Sequence, residues 1–272
     1  MAKGIPAILL SVFCALTINA QTKTSKPFSI GKIATIRSGI LNENRTLNIY
    51  LPPAYNSKEK YPVIYLLDGS ADEDFLHIVG LVQFFNLTFK MPKTIVVGIA
   101  NVDRRRDFTF PTTLPDLKKE FPTTGGSAKF IGFLEKELQP YIRANYSIND
   151  SSYLIGQSLG GLIATEILLK KPDLFSNYII VSPSLWWDDE SLLKAAPALL
   201  SKQADTKKWI YVSAGSEGKQ MEDDAAGLVK AIQQSGKKNF KTDLVPLPKE
   251  NHATILHNSV YAAFSILYPY KE

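Results

Sequence analysis

The chain has 272 residues, 45% hydrophobic and 21% charged, with three histidines and a single cysteine. One cysteine excludes an intramolecular disulfide, a four-cysteine zinc site and a cysteine-ligated iron–sulfur cluster, and three histidines leave little material for a multi-histidine metal centre. The net charge of +5 is spread along the chain and gives no footprint for nucleic acid, while the composition points to a packed domain instead of disorder.

The first element in chain order has the layout of an export signal. Lys3 precedes an apolar run from Ile5 to Ile18, and Asn19-Ala20-Gln21 closes it. A basic start, a short apolar stretch and a small residue predict a signal peptide over 1–20, cleaved after Ala20, and hence a periplasmic or secreted protein. The run is shorter than the roughly 20 apolar residues a spanning helix needs, so no membrane span is expected after cleavage. Cys14 lies inside this segment, which leaves residues 21–272 without cysteine. No repeat and no Gly/Ser- or Pro-rich linker divides them, which predicts a single domain over 21–272.

Short runs rich in β-branched and aromatic residues then recur at Leu47 to Leu51, Val63 to Leu67, Thr94 to Ile99, Tyr153 to Ile155, Tyr178 to Val181, Trp209 to Val212 and Asp243 to Val245. Several are apolar throughout, the pattern of strands covered on both faces. Helical patterns lie between them: a stripe of Phe130, Leu134, Leu138, Tyr141 and Ile142, a segment from Gly160 to Lys171 stopped by Pro172, and a third from Ala225 to Gln234 with Gly236 beyond its end. Strands alternating with helices predict an α/β fold with a mostly parallel sheet and helices on both faces.

Tyr153-Leu154-Ile155-Gly156-Gln157-Ser158-Leu159-Gly160 carries a strand through Gly-x-Ser-x-Gly into a helix. A serine hydroxyl becomes a nucleophile when a base takes its proton, and this turn projects it from the end of the sheet, with small residues at Gly156 and Gly160 so that strand and helix can approach. The following amide, of Leu159, would sit at a helix N-terminus and could stabilise an oxyanion. The competing reading is a glycine-rich turn with Ser158 as a plain helix cap. Of the three histidines, His252 follows the last strand-like run, where the order Ser, acid, His places the base. His257 falls on the next helix, and His77 comes early in the chain. The acid belongs on the loop after Trp209 to Val212, where Glu217 is the first carboxylate. Glu222, Asp223 and Asp224 read as the first turn of a helix. A solvated Glu217 beside a Ser–His dyad stays open. A second oxyanion amide could come from Gly69 or Ser70, after the strand that ends in Asp68-Gly69, a pair that also makes a plain turn.

These residues resemble the esterase group of α/β-hydrolases that includes esterase D-like, feruloyl and enterochelin (siderophore) esterases. The resemblance runs from about Phe28 to the end. It rests on Arg45-Thr46-Leu47-Asn48-Ile49-Tyr50-Leu51-Pro52-Pro53-Ala54-Tyr55, Pro62-Val63-Ile64-Tyr65-Leu66-Leu67-Asp68-Gly69, Gly156-Gln157-Ser158-Leu159-Gly160-Gly161 and Ser182-Pro183-Ser184-Leu185-Trp186-Trp187. Arg104-Arg105-Arg106-Asp107-Phe108-Thr109 is similar to the siderophore-esterase branch, with Phe110 inserted before Pro111. The resemblance implies an α/β-hydrolase fold, Ser158 as nucleophile, His252 as base, and the amides of Leu159 and Ser70 as oxyanion hole.

For the substrate, Trp186-Trp187 falls just past a strand end, where α/β folds bind ligands; one of the two could stack an aromatic acyl group or sugar ring and the other pack in the core. The segment from Ser184 to Lys208 could form a small lid. Arg106, in the run Arg104 to Arg106, could meet a carboxylate or catecholate oxygen, or the run could be a solvated face. The expected activity is serine-dependent hydrolysis of a carboxylic ester, with an aromatic acyl, sugar or siderophore ester as small-molecule partner and no cofactor or metal. Acyl transfer on the same site and a non-catalytic ligand-binding scaffold are the alternatives.

Overall fold

Eight strands hydrogen-bond into one sheet in the order β1-β2-β4-β3-β5-β6-β7-β8: β1 (Lys32–Ser38), β2 (Glu43–Tyr50), β3 (Tyr61–Leu66), β4 (Ile95–Ile99), β5 (Ile148–Gln157), β6 (Asn177–Val181), β7 (Lys208–Gly215) and β8 (Phe240–Leu247). The computed structural model describes Met1 and residues 25–270, so the predicted export signal beyond Met1, its cleavage point and Cys14 lie outside the described residues. Strands β4, β3, β5, β6, β7 and β8 are mutually parallel, and β2 is antiparallel to both β1 and β4. Every residue of β3, β4 and β7 is buried, as the apolar runs Val63 to Leu67, Thr94 to Ile99 and Trp209 to Val212 within or overlapping them predict for strands covered on both faces. The outer strands β1 and β8 alternate exposed and half-buried positions.

Successive side chains of each central strand point to opposite faces and feed two cores. On one face Ile64, Leu66, Val96, Ile155, Ile179 and Tyr211 meet α1 (Phe75–Thr88) and α9 (Ile255–Leu267). On the other, Val63, Tyr65, Val97, Leu154, Ile180 and Val212 meet α4 (Ser127–Phe133), α5 (Gln139–Asn145), α6 (Leu159–Lys170), α7 (Trp187–Ser201) and α8 (Lys219–Gln234). Two short helices, α2 (Arg104–Phe108) and α3 (Pro115–Glu120), lie between β4 and α4.

The predicted stripe from Phe130 to Ile142 is one continuous helical stretch with a π-helical turn at Leu134–Leu138. Pro140 follows that turn at the start of α5; it lacks an N–H and crowds the carbonyl four residues back, so the wider turn relieves it. Helix α1 was not among the predicted elements. Its apolar residues circle the axis, with Leu76 and Leu87 exposed while Ile78 and Phe85 are fully buried, so no single stripe announces it. The segment expected as a lid is α7, packed against α6 and α8.

The chain runs from β3 outward to β4 and then back across β3 to β5. Strand order therefore reverses between β3 and β5, and the crevice outside their carboxyl ends is where such sheets place a ligand. Ser158 leaves β5 there, and Asp68-Gly69-Ser70 leaves β3.

Candidate active site

Ser158 has φ 60° and ψ −120° between β5 and α6, a left-handed conformation that costs a non-glycine residue about 1–3 kcal/mol unless its surroundings impose it. Those surroundings are explicit. The Ser158 N–H donates to Val181 O at 3.0 Å, and Ser158 O accepts from the N–H groups of Leu162 at 2.9 Å and Ser184 at 3.1 Å. A methyl group at Gly156 would overlap Gly160 O, and one at Gly161 would stand 2.9 Å from Pro183 Cα. Strand and helix thus close on a serine whose side chain points out of the sheet. Leu159 is the first residue of α6, so its N–H has no carbonyl within the helix to bond.

Glu217 and His252 converge from two different loops. Glu217 Oε2 lies 2.5 Å from His252 Nδ1, and Glu217 Oε1 accepts from the Gly215 N–H at 3.0 Å and from the Ser182 hydroxyl. The Glu217 side chain is 4% exposed and that of His252 49%. The two loops are tied by Ser216 N–H to Glu250 O at 2.8 Å, and Gln157 Nε2 donates to His252 O at 2.5 Å. A carboxylate on Nδ1 selects the tautomer with its proton there, which leaves Nε2 free to accept one. Ser158 Oγ itself is 3.3 Å from Ser184 Oγ, its hydrogen-bond partner among the described residues.

The turn after β3 is fixed from several directions. Asp68, at φ 53°, accepts from Arg104 Nε at 2.7 Å, Arg104 Nη2 at 2.9 Å and Asn101 Nδ2 at 2.6 Å. Arg104 Nη2 also reaches Gln157 O at 3.2 Å, joining this turn to the one that carries Ser158. The Gly69 N–H is taken by Ile99 O at 3.0 Å and Asn48 Nδ2 donates to Gly69 O at 2.8 Å. Of the two amides expected from sequence, Gly69 is therefore committed to the sheet and Ser70 is the one without a protein acceptor among the described residues.

Ser158 and His252 stand at the divide of an open cleft. One arm, of about 610 Å³, is walled by Ser184, Trp186 and Met221; the other, of about 430 Å³, by Asp68, Glu73, Asp74 and Arg104. Two expected substrate contacts are corrected. Trp187 is fully buried, with Nε1 donating to Phe110 O at 3.0 Å and its ring edge-on to Phe121, so of the tryptophan pair Trp186 faces the cleft. Arg106 bonds Asp107 Oδ1 at 2.7 Å and Glu43 Oε1 at 2.6 Å, bonds that raise its pKa further, and it borders neither arm. The arginine in the cleft is Arg104. The residues missed from sequence are Asp68, Gln157, Ser182 and Ser184, whose contacts come from neighbouring strands and loops that no local pattern encodes, and Met221, which walls the cleft from α8.

The family model described as "Putative esterase" matches residues 38–257. The chain belongs to this esterase family. Ferri-bacillibactin esterase BesA of Bacillus subtilis is 30% identical over 86% of this chain and 88% of its own. Among solved structures, an IroE-like serine hydrolase from Shewanella oneidensis superposes with a TM-score of 0.80 at 30% identity, covering 88% of this chain and 80% of that one. The BES protein from Bacillus cereus gives a TM-score of 0.80 at 28% identity, covering 90% and 98%. The α/β-hydrolase expectation holds, and the protein is an esterase whose relatives include siderophore esterases.

Proposed function

We propose that this esterase cleaves its substrate through an acyl-serine intermediate formed on Ser158. His252 Nε2 takes the Ser158 proton as Oγ attacks the ester carbonyl, and the carbonyl oxygen becomes an oxyanion bonded by the N–H groups of Leu159 and Ser70. Collapse breaks the ester C–O bond, and the imidazolium returns its proton to the departing alcohol. Water then attacks the acyl-serine, His252 takes its proton, and Ser158 leaves as the free hydroxyl. Glu217 holds the imidazole and offsets its positive charge. The observation that carries this reading is the contact of Glu217 with His252 Nδ1 beside a serine in the strained strand-to-helix turn. The half-exposed imidazole in an open cleft supports water as the acyl acceptor. Ser158 Oγ must turn from Ser184 toward His252, a side-chain rotation of the kind that substrate binding completes.

We further assign the substrate class as siderophore-type esters, supported by the names of the relatives and by a cleft whose two arms flank Ser158. A hydroxyacid trilactone of the siderophore class should be cleaved with a kcat/KM at least tenfold above that of a simple p-nitrophenyl acyl ester, and Ser158→Ala should cleave neither. Equal or reversed selectivity in the wild type would remove the substrate assignment and leave the esterase mechanism in place.

A further inference from the structure

We propose that Ser182 and Ser184, the two hydroxyls on either side of Pro183 past the end of β6, are positioning residues, Ser182 for Glu217 and Ser184 for Ser158. The inference rests on the mechanism proposed above. Strand β6 lies between β5, which delivers the nucleophile, and β7, which delivers the acid. Its continuation is thus the piece of chain that can touch both, and it does. Ser182, fully buried at φ 41°, anchors its N–H on Ser213 O at 2.8 Å and turns its hydroxyl onto Glu217 Oε1. Ser184, 2% exposed, gives its N–H to Ser158 O at 3.1 Å and sets its Oγ 3.3 Å from Ser158 Oγ. Pro183 between them sits against Gly161 of α6, so the tripeptide has little room to shift.

The consequence for Glu217 is geometric. A glutamate carboxyl rotates with little torsional preference, and a single partner on one oxygen leaves its plane undefined. Two donors on Oε1, from Ser182 and Gly215, aim Oε2 at His252 Nδ1. Without the Ser182 hydroxyl a nearly buried carboxylate loses one of its donors, and the imidazole loses a fixed orienting partner. Ser184 limits the rotation of the Ser158 side chain while that serine waits for substrate. Neither hydroxyl exchanges a proton with substrate in the mechanism, so each acts through another residue.

A double-mutant cycle tests this. Ser182→Ala should lower kcat about tenfold, the worth of one hydrogen bond of some 1.4 kcal/mol, with KM within twofold, and the same substitution in a Glu217→Gln background should change kcat less than twofold, because the group it positions is gone. Because the Ser184 hydroxyl holds Ser158 Oγ in its resting position, turned away from His252, Ser184→Ala should raise fluorophosphonate labelling and kcat by the same factor and leave KM unchanged. Additive losses for Ser182 and Glu217, or a Ser184→Ala effect confined to KM, overturn the proposal. If Ser182→Ala fails to fold, Ser182→Gly, which tolerates the positive φ, enters the same cycle. Failure of the wild type to react with the fluorophosphonate overturns the mechanism and this inference together, whereas a labelled wild type with additive losses overturns the inference alone.

Discussion

At the residue scale, Glu217 is held in place by its partners. Its three polar contacts among the described residues and its burial set one carboxyl oxygen against His252, and Glu217→Gln, which keeps the shape and removes the charge, is expected to lower kcat by about 10⁴, as loss of the orienting acid does in Ser-His-Asp triads. Steady-state kinetics on a p-nitrophenyl ester measure it; a loss below tenfold identifies a Ser–His dyad. The adjacent tryptophans separate in the same way. Trp186 faces the cleft and Trp187 the core, so Trp186→Ala should raise KM with little change in melting temperature. Trp187→Ala should cost about 3–5 kcal/mol of stability, read by chemical denaturation, and an intact Tm in that variant would contradict its placement. Sequence alone could say only that neighbours on a turn point different ways. Which one points inward depends on the Phe110 carbonyl and the Phe121 ring, residues far away along the chain.

At the scale of elements, the seam between α7 and α8 carries an unfavourable charge. Burial first, and Glu190 and Asp223 second, push the Asp224 carboxyl up from its usual 3.8 to about 6, and Asp224 Oδ2 has no hydrogen-bond partner among the described residues. A carboxyl whose pKa rises on folding favours the protonated form in the native state. Its stabilising contribution is complete below pH 4 and is lost as pH rises through 6, about 1–3 kcal/mol in all. Asp224→Asn should therefore raise Tm at pH 8 and leave it unchanged near pH 4. Equal shifts at both pH values, followed by differential scanning calorimetry, would contradict this. Elements with strong local signals were legible in advance: β3, β4 and β7 because both faces are covered, α6 and α8 because glycine, proline and amphipathic spacing mark their ends. Strand β1 was not, since an edge strand pairs on one side and alternates only weakly, and α1 was not, since its apolar residues circle the axis, Leu76 and Leu87 exposed while Phe85 packs against the α9 aromatics.

At the scale of the whole molecule, the site is a product of strand order. Ser158, Glu217 and His252 follow β5, β7 and β8, and Ser70 follows β3; the parallel sheet aligns these carboxyl ends, so residues distant in sequence share one crevice at the reversal of strand order. The Gly-x-Ser-x-Gly turn and the Ser, acid, His order were readable because they are written along the chain. The bonding of the Gly69 N–H to Ile99 O, the Arg104–Asp68 brace and the hydroxyls of Ser182 and Ser184 were not, because each is decided by a neighbouring strand or loop. The most direct test of the central claim is reaction with a fluorophosphonate followed by peptide mass spectrometry. One equivalent of adduct on Ser158 is expected in the wild type, none in Ser158→Ala, and labelling slowed at least a hundredfold in His252→Ala. Adduct on any other residue, or undiminished labelling in His252→Ala, would contradict it.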